Sequence, residues 1–443
     1  MKGPMAETGS NLNPFHRGPR PLGPHLTTAT GILLSSLAAL PSARQSSLPW
    51  HPKLAAEAAS LGADLQKTDF ATLSATLGTA VHGRIATYMD GLRRYQAHPY
   101  HREVTEPPLA WREGSTRLLD YGRNAEDIPV VFVPSLVNRA YILDLSERRS
   151  LMRYLAAAGI RPWLLDWGPP GGVELGYGLN DYIARLHRAI AAATAEAGRP
   201  PVLVGYCMGG NLALGAAARR PESVAALGLL ATPWDFHAGT PTGFRVFGTF
   251  RHGVAATLKA AQGMPVDMLQ LLFLSLDPTL GLRKFSAFAA MDPDSPEAAD
   301  FVALEDWLND GVSLSAPVAE ECLSGWYGDN LPGLGRWQVE GVPVEPARLS
   351  LPALVMVPGE DRIVPPASAL ALAEGPQAIP AALVHRPALG HVGMIVGSRA
   401  EADVWQPLRD WILAQGRPKP LPRRRTQGYG ARKHPPFSKG ATP

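Results

Sequence analysis

Residues 202–215 read VLVGYCMGGNLALG, an apolar run followed by Gly-x-Cys-x-Gly and then by a stretch rich in Ala and Leu. The apolar run predicts a buried strand, and the Ala/Leu pattern predicts a helix. A strand that turns into a helix at such a motif is a nucleophile elbow, whose glycines allow a sharp turn that presents the middle side chain. We therefore interpret Cys207 as a nucleophile. The alternative is a plain strand–helix connection with a buried thiol.

Similar apolar runs, each bounded by turn residues, recur along the chain. They lie at residues 130–133, 163–166, 202–206, 225–230, 353–357 and 382–385. Helical patterns, such as residues 147–158 and 180–197, separate several of them. Continuous apolar strands that alternate with helices predict a mostly parallel sheet covered on both faces. The interval 234–351 is too long for one crossover and predicts an inserted helical cap over the carboxyl ends of the strands. The predicted fold class is α/β, with the α/β-hydrolase arrangement.

This interpretation divides the chain into five regions. They are a poorly ordered N-terminal segment (1–48), a helical region (49–105), the α/β-hydrolase core (106–233 and 350–415), the helical cap (234–349) and a disordered basic tail (416–443). Within the first region, the apolar residues 29–43 resemble the core of a signal peptide but begin far from the N-terminus, so a surface helix or anchor is the preferred interpretation. No run of 18 apolar residues exists, and no membrane-spanning helix is expected.

Composition narrows the class of protein. Hydrophobic residues make up 46% and charged residues 18%, which is typical of a soluble protein with a sizeable core. Two cysteines exclude a disulfide framework and favour a reducing, cytoplasmic location. The segment 417–443 carries eight Lys or Arg and no acidic residue, so the rest of the chain is mildly acidic. A basic tail on an acidic body argues against a nucleic-acid partner.

A nucleophile elbow requires an acid and a base, which follow it in the order acid, then histidine. Asp361 comes directly after the strand 353–357, and His391 lies in the loop after the strand 382–385. Glu360 is the alternative acid, but as the neighbour of Asp361 it points elsewhere. We expect His391 to take the thiol proton of Cys207, and Asp361 to hold the imidazole in the right tautomer.

The oxyanion of an acyl-transfer intermediate needs two N–H donors. The Met208 amide, at the start of the predicted helix, is the first. The second is expected in the loop 134–139, with Leu136 or Val137 as candidates. Cys322 lacks the glycine setting and is interpreted as a small buried hydrophobe. No metal site and no cofactor are expected.

Several pieces of the sequence resemble polyhydroxyalkanoate synthases. They are GYCMGG (205–210), VPSLVNRAYILDL (133–145), ATPWDF (231–236), EDRIVP (360–365) and Gly390-His391. The resemblance covers about residues 95–413. It implies a capped α/β-hydrolase fold, often dimeric, in which Cys207 is acylated by a 3-hydroxyacyl-CoA, His391 is the general base and Asp361 assists it. The implied partners are the 3-hydroxyacyl-CoA substrate, a polyester product or granule surface, and a second copy or a partner subunit. The implied location is the cytoplasm, in association with granules.

Chemistry explains the choice of a thiol. Exchange of an acyl group between the thiol of CoA and the thiol of Cys207 changes the free energy little, because both products are thioesters. Transfer of the acyl group to a hydroxyl then forms an ester and is favourable. Because CoA carries phosphates, we expect cationic side chains near the entrance of the active site. Asn138 and Arg139 are the substrate-binding candidates, with Arg251 and Lys284 as further cations.

Two features depart from the usual pattern of that family. Arg362 follows Asp361 where a His is usual, and Pro366 stands where a Trp is usual. Two other functions compete. A Cys-dependent hydrolase, of the thioesterase or dienelactone hydrolase type, would release the acyl group to water. A non-enzymatic protein associated with a granule or membrane would use the apolar residues 264–276 and the basic tail for attachment.

Overall fold

The structure is a computed structural model and describes residues 16–239, 258, 260, 261 and 263–416. Numbered along these residues, the strands are β1 (Leu109–Glu113), β2 (Thr116–Asp120), β3 (Ile128–Val133), β4 (Ile160–Asp166), β5 (Val202–Tyr206), β6 (Ala226–Leu230), β7 (Gln338–Val339), β8 (Val342–Pro343), β9 (Ala353–Met356) and β10 (Leu383–His385). The α-helices are α1 (Leu22–Arg44), α2 (Ala55–Gln66), α3 (Phe70–Ala97), α4 (Leu151–Ala157), α5 (Leu179–Ala197), α6 (Met208–Arg219), α7 (Val266–Leu276), α8 (Leu280–Ala289), α9 (Pro296–Asn309), α10 (Ala316–Glu320), α11 (Pro366–Leu370), α12 (Gly393–Val396) and α13 (Gln406–Gln415).

An eight-stranded sheet runs in the order β1-β2-β4-β3-β5-β6-β9-β10. From β4 to β10 all neighbours are parallel, whereas β1–β2 and β2–β4 are antiparallel. The α/β-hydrolase fold predicted from the sequence is therefore confirmed. The hairpin β1–β2 was not predicted, because its two strands mix charged with apolar residues and form the sheet's edge.

Both faces of the sheet carry a hydrophobic core, because alternate side chains of a strand point to opposite sides. On β3, Val131 and Val133 pack into the core that includes α5 and α6. Val130 and Phe132 pack into the opposite core, with α4 and α13. Cys207 follows β5 and packs against both cores. The residue at the elbow thus lies at the carboxyl end of the middle of the sheet.

The chain between β6 and β9 contains the elements of the cap. Its described residues form α7 to α10, a π-helix (Glu321–Gly328) and the small hairpin β7–β8. The helix α8 packs closely on α3, where a Cβ added at Gly91 would lie 1.9 Å from the Phe285 carbonyl oxygen. A separate cluster of buried side chains, including Tyr88, Tyr95 and Phe285, joins the N-terminal helices to the cap. The N-terminal helices are therefore partners of the cap.

The N-terminal segment differs from the sequence prediction. Much of the stretch 16–48, expected to be poorly ordered outside residues 29–43, forms the 23-residue helix α1. From Leu22 to Ala43 it contains no Asp, Glu, Lys or Arg, and it buries Ala29, Leu33 and Leu40. A partner surface on α3 thus explains its order. The predictions for residues 1–15 and for the tail after Gly416 lie outside the described residues.

The helix α1 is also long and apolar enough to cross a membrane, judged by length and composition alone. Its mean hydropathy meets that criterion although no run of 18 apolar residues exists. Only 17% of its most apolar window is buried in the structure. Signal sequences near an N-terminus and core helices of soluble proteins share this property.

Candidate active site

Cys207 occupies a sharp turn between β5 and α6. Its backbone has φ 55° and ψ −130°, a conformation that costs a non-glycine residue about 1–3 kcal/mol. The surroundings hold it there. The Cys207 N–H donates to the Leu230 carbonyl at 2.9 Å, and the Cys207 carbonyl accepts from the Gly210 N–H at 2.9 Å. The turn therefore presents a half-buried thiol at the N-terminus of a helix, the arrangement predicted for an elbow.

The glycines of the elbow are required by close backbone contacts. A Cβ at Gly205 would lie 2.3 Å from the Gly210 Cα, and a Cβ at Gly209 would lie 2.1 Å from the Val133 carbonyl oxygen. Backbone atoms cannot move away as a flexible side chain could. The Gly-x-Cys-x-Gly pattern is thus explained by packing between α6 and the neighbouring backbone.

Asp361 and His391 lie together at the carboxyl end of the sheet. The Asp361 Oδ2 accepts a hydrogen bond from the His391 Nδ1 at 2.7 Å. Its other oxygen accepts the N–H groups of Ile363 and Val364, both at 2.8 Å. The Asp361 side chain is 0% exposed, whereas Glu360 is exposed. The structure therefore brings His391 to Asp361 and not to the alternative acid.

The imidazole of His391 also interacts with the thiol of Cys207. Burial by itself lowers the pKa of His391. The charge on Cys207 and the hydrogen bond to Asp361 outweigh burial and raise that pKa to about 10, with a further contribution from a hydrogen bond to Cys207. Asp361 thus contacts His391, and His391 in turn interacts with Cys207.

Tyr206 is a member of the site that the sequence analysis missed. Its ring centroid lies 5.2 Å from that of His391. Its hydroxyl donates to the His391 carbonyl at 3.1 Å. Burial, with smaller contributions from Cys207 and Asp361, raises its pKa well above 10. Tyr206 therefore stays neutral and supports the loop that carries His391. The only hint in the sequence was that Tyr206 lies between Gly205 and Cys207 in the elbow motif.

The predicted oxyanion donors are placed differently from one another. Met208 is the first residue of α6, so its N–H has no carbonyl acceptor within the helix. Val137, by contrast, donates its N–H to the Ser135 Oγ at 3.2 Å. Leu136 is 4% exposed in the same loop. Of the two loop candidates, Val137 thus has its N–H occupied by Ser135, and Leu136 is the candidate that remains.

The two main candidates for CoA binding, Asn138 and Arg139, contact residues of the cap. Asn138 forms an antiparallel bridge with Gly311, and the Arg139 guanidinium lies 3.5 Å from the Asp310 carboxylate. Lys284 does not fit a phosphate site at the entrance, because it pairs at 2.7 Å with Glu305, whose side chain is 2% exposed. Arg251 lies outside the described residues.

The cap brings Tyr327 towards the elbow. Tyr327 belongs to the π-helix, an element that often marks functional sites. Burial raises the pKa of its hydroxyl, and the nearby charge of Cys207 raises it further. The ring of Phe236, from the segment after β6, packs edge-on at 5.0 Å between centroids. Aromatic side chains of the cap therefore lie near the Cys207 thiol.

Arg362, which departs from the resembled family, joins the core to the cap. It is exposed and pairs with Asp277, between α7 and α8, at 2.9 Å. Asp277 also accepts from Arg283 at 2.7 Å, and the hydrogen bond from Arg283 is the main cause that lowers its pKa to about 2. The residue after Asp361 thus contributes a surface ion pair between core and cap.

The second cysteine lies in the same π-helix as Tyr327. Cys322 is 8% exposed in the cap, and burial raises the pKa of its thiol. Within the described part of the chain, no group of three or more His, Cys, Asp or Glu side chains is placed to hold a metal ion.

Comparison with known proteins adds two findings. Residues 130–406 match the model of the Alpha/beta hydrolase family. A thermophilic esterase from Thermogutta terrifontis is a structural neighbour with 18% identity and a TM-score of 0.44, covering 71% of this chain and 100% of its own.

Curated relatives carry a more specific description. The poly(3-hydroxyalkanoate) polymerase subunit PhaC of Haloferax mediterranei is 29% identical over 70% of this chain and 64% of its own length. The subunit of the same name from Synechocystis is 29% identical over 65% of this chain and 78% of its own. The chain thus spans 64% and 78% of these two relatives. The resemblance found in the sequence motifs is confirmed.

Proposed function

The chain belongs to the alpha/beta hydrolase family, and on that premise we propose that it is an acyltransferase that builds a polyester from 3-hydroxyacyl-CoA. Its similarity to poly(3-hydroxyalkanoate) polymerase subunits supports this substrate class. The observation that carries the catalytic proposal is the link from Asp361 through His391 to Cys207. A buried, charged imidazole beside a thiol serves covalent acyl transfer.

The first step is acylation of Cys207. Its thiolate attacks the thioester carbonyl of the substrate and forms a tetrahedral intermediate. The N–H groups of Met208 and Leu136 stabilise the oxyanion. When the intermediate collapses, the bond to the CoA sulfur breaks, and the His391 imidazolium gives its proton to that sulfur. The products are free CoA and an acyl group held as a thioester on Cys207.

The second step transfers this acyl group to a hydroxyl. The hydroxyl of a 3-hydroxyacyl group attacks the carbonyl on Cys207, and the now neutral His391 takes its proton. The carbon–sulfur bond breaks, an ester forms, and the thiolate beside the imidazolium is restored. Asp361 keeps the Nδ1 proton in place throughout, so Nε2 remains free to accept and donate.

The test supplies 3-hydroxybutyryl-CoA to the full-length protein. Free CoA, protein-bound acyl groups by intact mass, and released hydroxyacid are followed together. Cys322→Ala is the matched control for Cys207→Ala, since it removes the only other thiol in the chain. We expect the wild type and Cys322→Ala to release more CoA than hydroxyacid and to accumulate ester. Cys207→Ala should carry no bound acyl group.

Two results would contradict the proposal in different ways. Hydroxyacid that equals CoA one for one, without ester, would identify a hydrolase that uses the same site. Unchanged turnover in Cys207→Ala would show that the nucleophile lies elsewhere.

We further propose that the working assembly contains a second protein chain, either another copy or a partner subunit, and that it acts in the cytoplasm at the surface of its polyester product. The word subunit in the names of the relatives supports the first part. The exposed apolar side chains of the N-terminal helices, such as Leu34 and Leu61, support the second. Light scattering of the purified protein tests assembly, and co-sedimentation with isolated polyester tests attachment.

A further inference from the structure

We propose that Trp307 of the cap is a positioning residue for acyl transfer: it fixes the loop 134–139, which supplies the second oxyanion donor, and the N-terminal segment 16–20 holds the helix of Trp307 in place. The inference rests on the proposed acyl chemistry at Cys207 but not on the identity of the acyl donor. The cap is then part of the oxyanion site as well as its cover.

Three hydrogen bonds fix the carbonyl groups of this loop. The Pro134 carbonyl accepts the indole N–H of Trp167 at 3.0 Å. The Val137 carbonyl accepts the backbone N–H of Val312 at 2.9 Å. The Arg139 carbonyl accepts the indole N–H of Trp307 at 2.8 Å. The first donor comes from the core and the other two come from the cap. The backbone is therefore held on both sides of the Leu136 amide.

Of the two cap donors, Trp307 donates through a buried side chain. It lies in the last turn of α9, is 4% exposed and packs in the same core as Ala140 and Ile142, which directly follow the loop. Immediately after α9, Gly311 pairs with Asn138 in an antiparallel bridge. Residues 307–312 of the cap thus run alongside residues 137–142 of the core, with Trp307 at one end.

The N-terminal segment secures the same end of α9. The Arg20 N–H donates to the Asn309 Oδ1 at 2.9 Å. The His16 side chain, 0% exposed, contacts the Asp306 carboxylate at 2.9 Å through Nδ1 and the His98 carbonyl at 2.8 Å through Nε2. These contacts hold residues on either side of Trp307 in α9. The segment 16–20 therefore acts on the loop through α9.

Positioning matters here because an oxyanion donor works only near its ideal distance. Loss of one donor costs about 10²–10³ in kcat in acyl-transfer enzymes, and a misplacement of about 1 Å costs on the order of 10²-fold. Alkylation of a thiolate by iodoacetamide forms a carbon–sulfur bond and expels iodide, without any oxyanion. A comparison of the two reactions therefore isolates the oxyanion site from the nucleophile.

The test uses Trp307→Phe in the full-length protein, which removes the indole N–H and keeps a buried aromatic ring. Acylation of Cys207 is followed as the burst of p-nitrophenolate from p-nitrophenyl acetate, and its alkylation by iodoacetamide is followed by mass. We expect the maximal acylation rate to fall about 10- to 100-fold. The half-saturating ester concentration and the alkylation rate should stay within about twofold, since neither depends on the oxyanion donor.

Trp163→Phe is the matched control. Trp163 is fully buried on β4, and among the described residues its indole N–H has no acceptor. It should change neither reaction. Acylation at the wild-type rate in Trp307→Phe, or an equal loss of acylation and alkylation, would overturn the proposal. If Trp307→Phe does not fold, Asn309→Ala decides: acylation should fall severalfold while alkylation is kept, and an unchanged ratio of the two rates would refute the role. Because an activated ester replaces the CoA substrate, failure of the polyester proposal leaves this test intact.

Discussion

Replacement of Asp361 by Asn separates the structural role of the acid from its chemical role. The two side chains have the same shape, and an Asn Oδ1 can still accept the N–H groups of Ile363 and Val364, now at 2.8 Å. The Nδ2 then faces His391 Nδ1, where the carboxylate stood 2.7 Å away. Because Nδ2 is a donor, Nδ1 must lose its proton, and Nε2 must carry it. That tautomer cannot accept the proton of the Cys207 thiol before acylation, nor the proton of an attacking hydroxyl afterwards.

We expect a large loss of activity in Asp361→Asn, because water cannot replace the carboxylate at a site that excludes solvent. The Asp361 side chain is 0% exposed and that of His391 is 7% exposed. In triads of this type, Asp to Asn lowers kcat about 10⁴-fold, which corresponds to about 5 kcal/mol of transition-state stabilisation at about 1.36 kcal/mol per factor of ten. The pKa of His391 should also fall from about 10, since the charge of Asp361 and its hydrogen bond both raise it.

The assay is a rapid-quench measurement of CoA release from 3-hydroxybutyryl-CoA, with ¹⁵N NMR of the imidazole as a direct reading of the tautomer. Glu360→Gln is the matched control, because it removes the neighbouring carboxylate, which is exposed. We expect Glu360→Gln to act like the wild type. Asp361→Asn that retains acylation within about tenfold, or an equal loss in Glu360→Gln, would refute the assignment of the acid.

Two further predictions concern stability. Burial lowers the pKa of His16, but the hydrogen bond and charge of Asp306 raise that pKa above 6.5 overall. The positive charge of His16 therefore stabilises the fold fully below about pH 6.5. This stabilisation disappears as the pH rises through the higher pKa of the folded state. The free energy of unfolding lost in His16→Gln, from urea titrations at several pH values, should accordingly shrink with rising pH, and a loss that grows with pH would contradict the ion pair. Gly209→Ala should lower the free energy of unfolding by about 1–3 kcal/mol or more, because its Cβ meets the Val133 carbonyl at 2.1 Å. Gly78→Ala, with nothing within 4 Å in the helix α3, should instead raise it by about 0.5–1 kcal/mol, and equal thermal shifts in the two variants would show that the contact at Gly209 is unimportant.

Local patterns predicted the parts of the fold that depend on nearby residues. The six apolar runs correspond to β3, β4, β5, β6, β9 and β10. The first five are almost wholly buried, and a strand buried on both faces must be continuously apolar. The last, β10, is an exposed edge strand with an apolar sequence. The positions of Cys207, Asp361 and His391 followed from the rule that functional loops succeed such strands. The structure brings these three side chains together.

Other features could not be predicted, because they depend on contacts between distant residues. Tyr206 touches His391, and Trp307 reaches Arg139, without any local motif that marks either contact. The full extent of α1 was missed for a related reason, since a surface helix or anchor was preferred only for residues 29–43 and the helix begins at Leu22. Its composition predicts an apolar helix, but only the surface of α3 explains why part of it is buried.

The contact between His16 and Asp306 spans 290 residues of sequence, and this has a consequence for synthesis in the cell. A ribosome adds about 5–20 residues per second, so roughly 15 to 60 s separate the emergence of the two partners. Cys207 emerges in that interval, and His391 follows both. A nascent chain therefore carries the thiol before it has either His391 or the N-terminal contact, and the proposed acyl transfer would begin only on finished molecules.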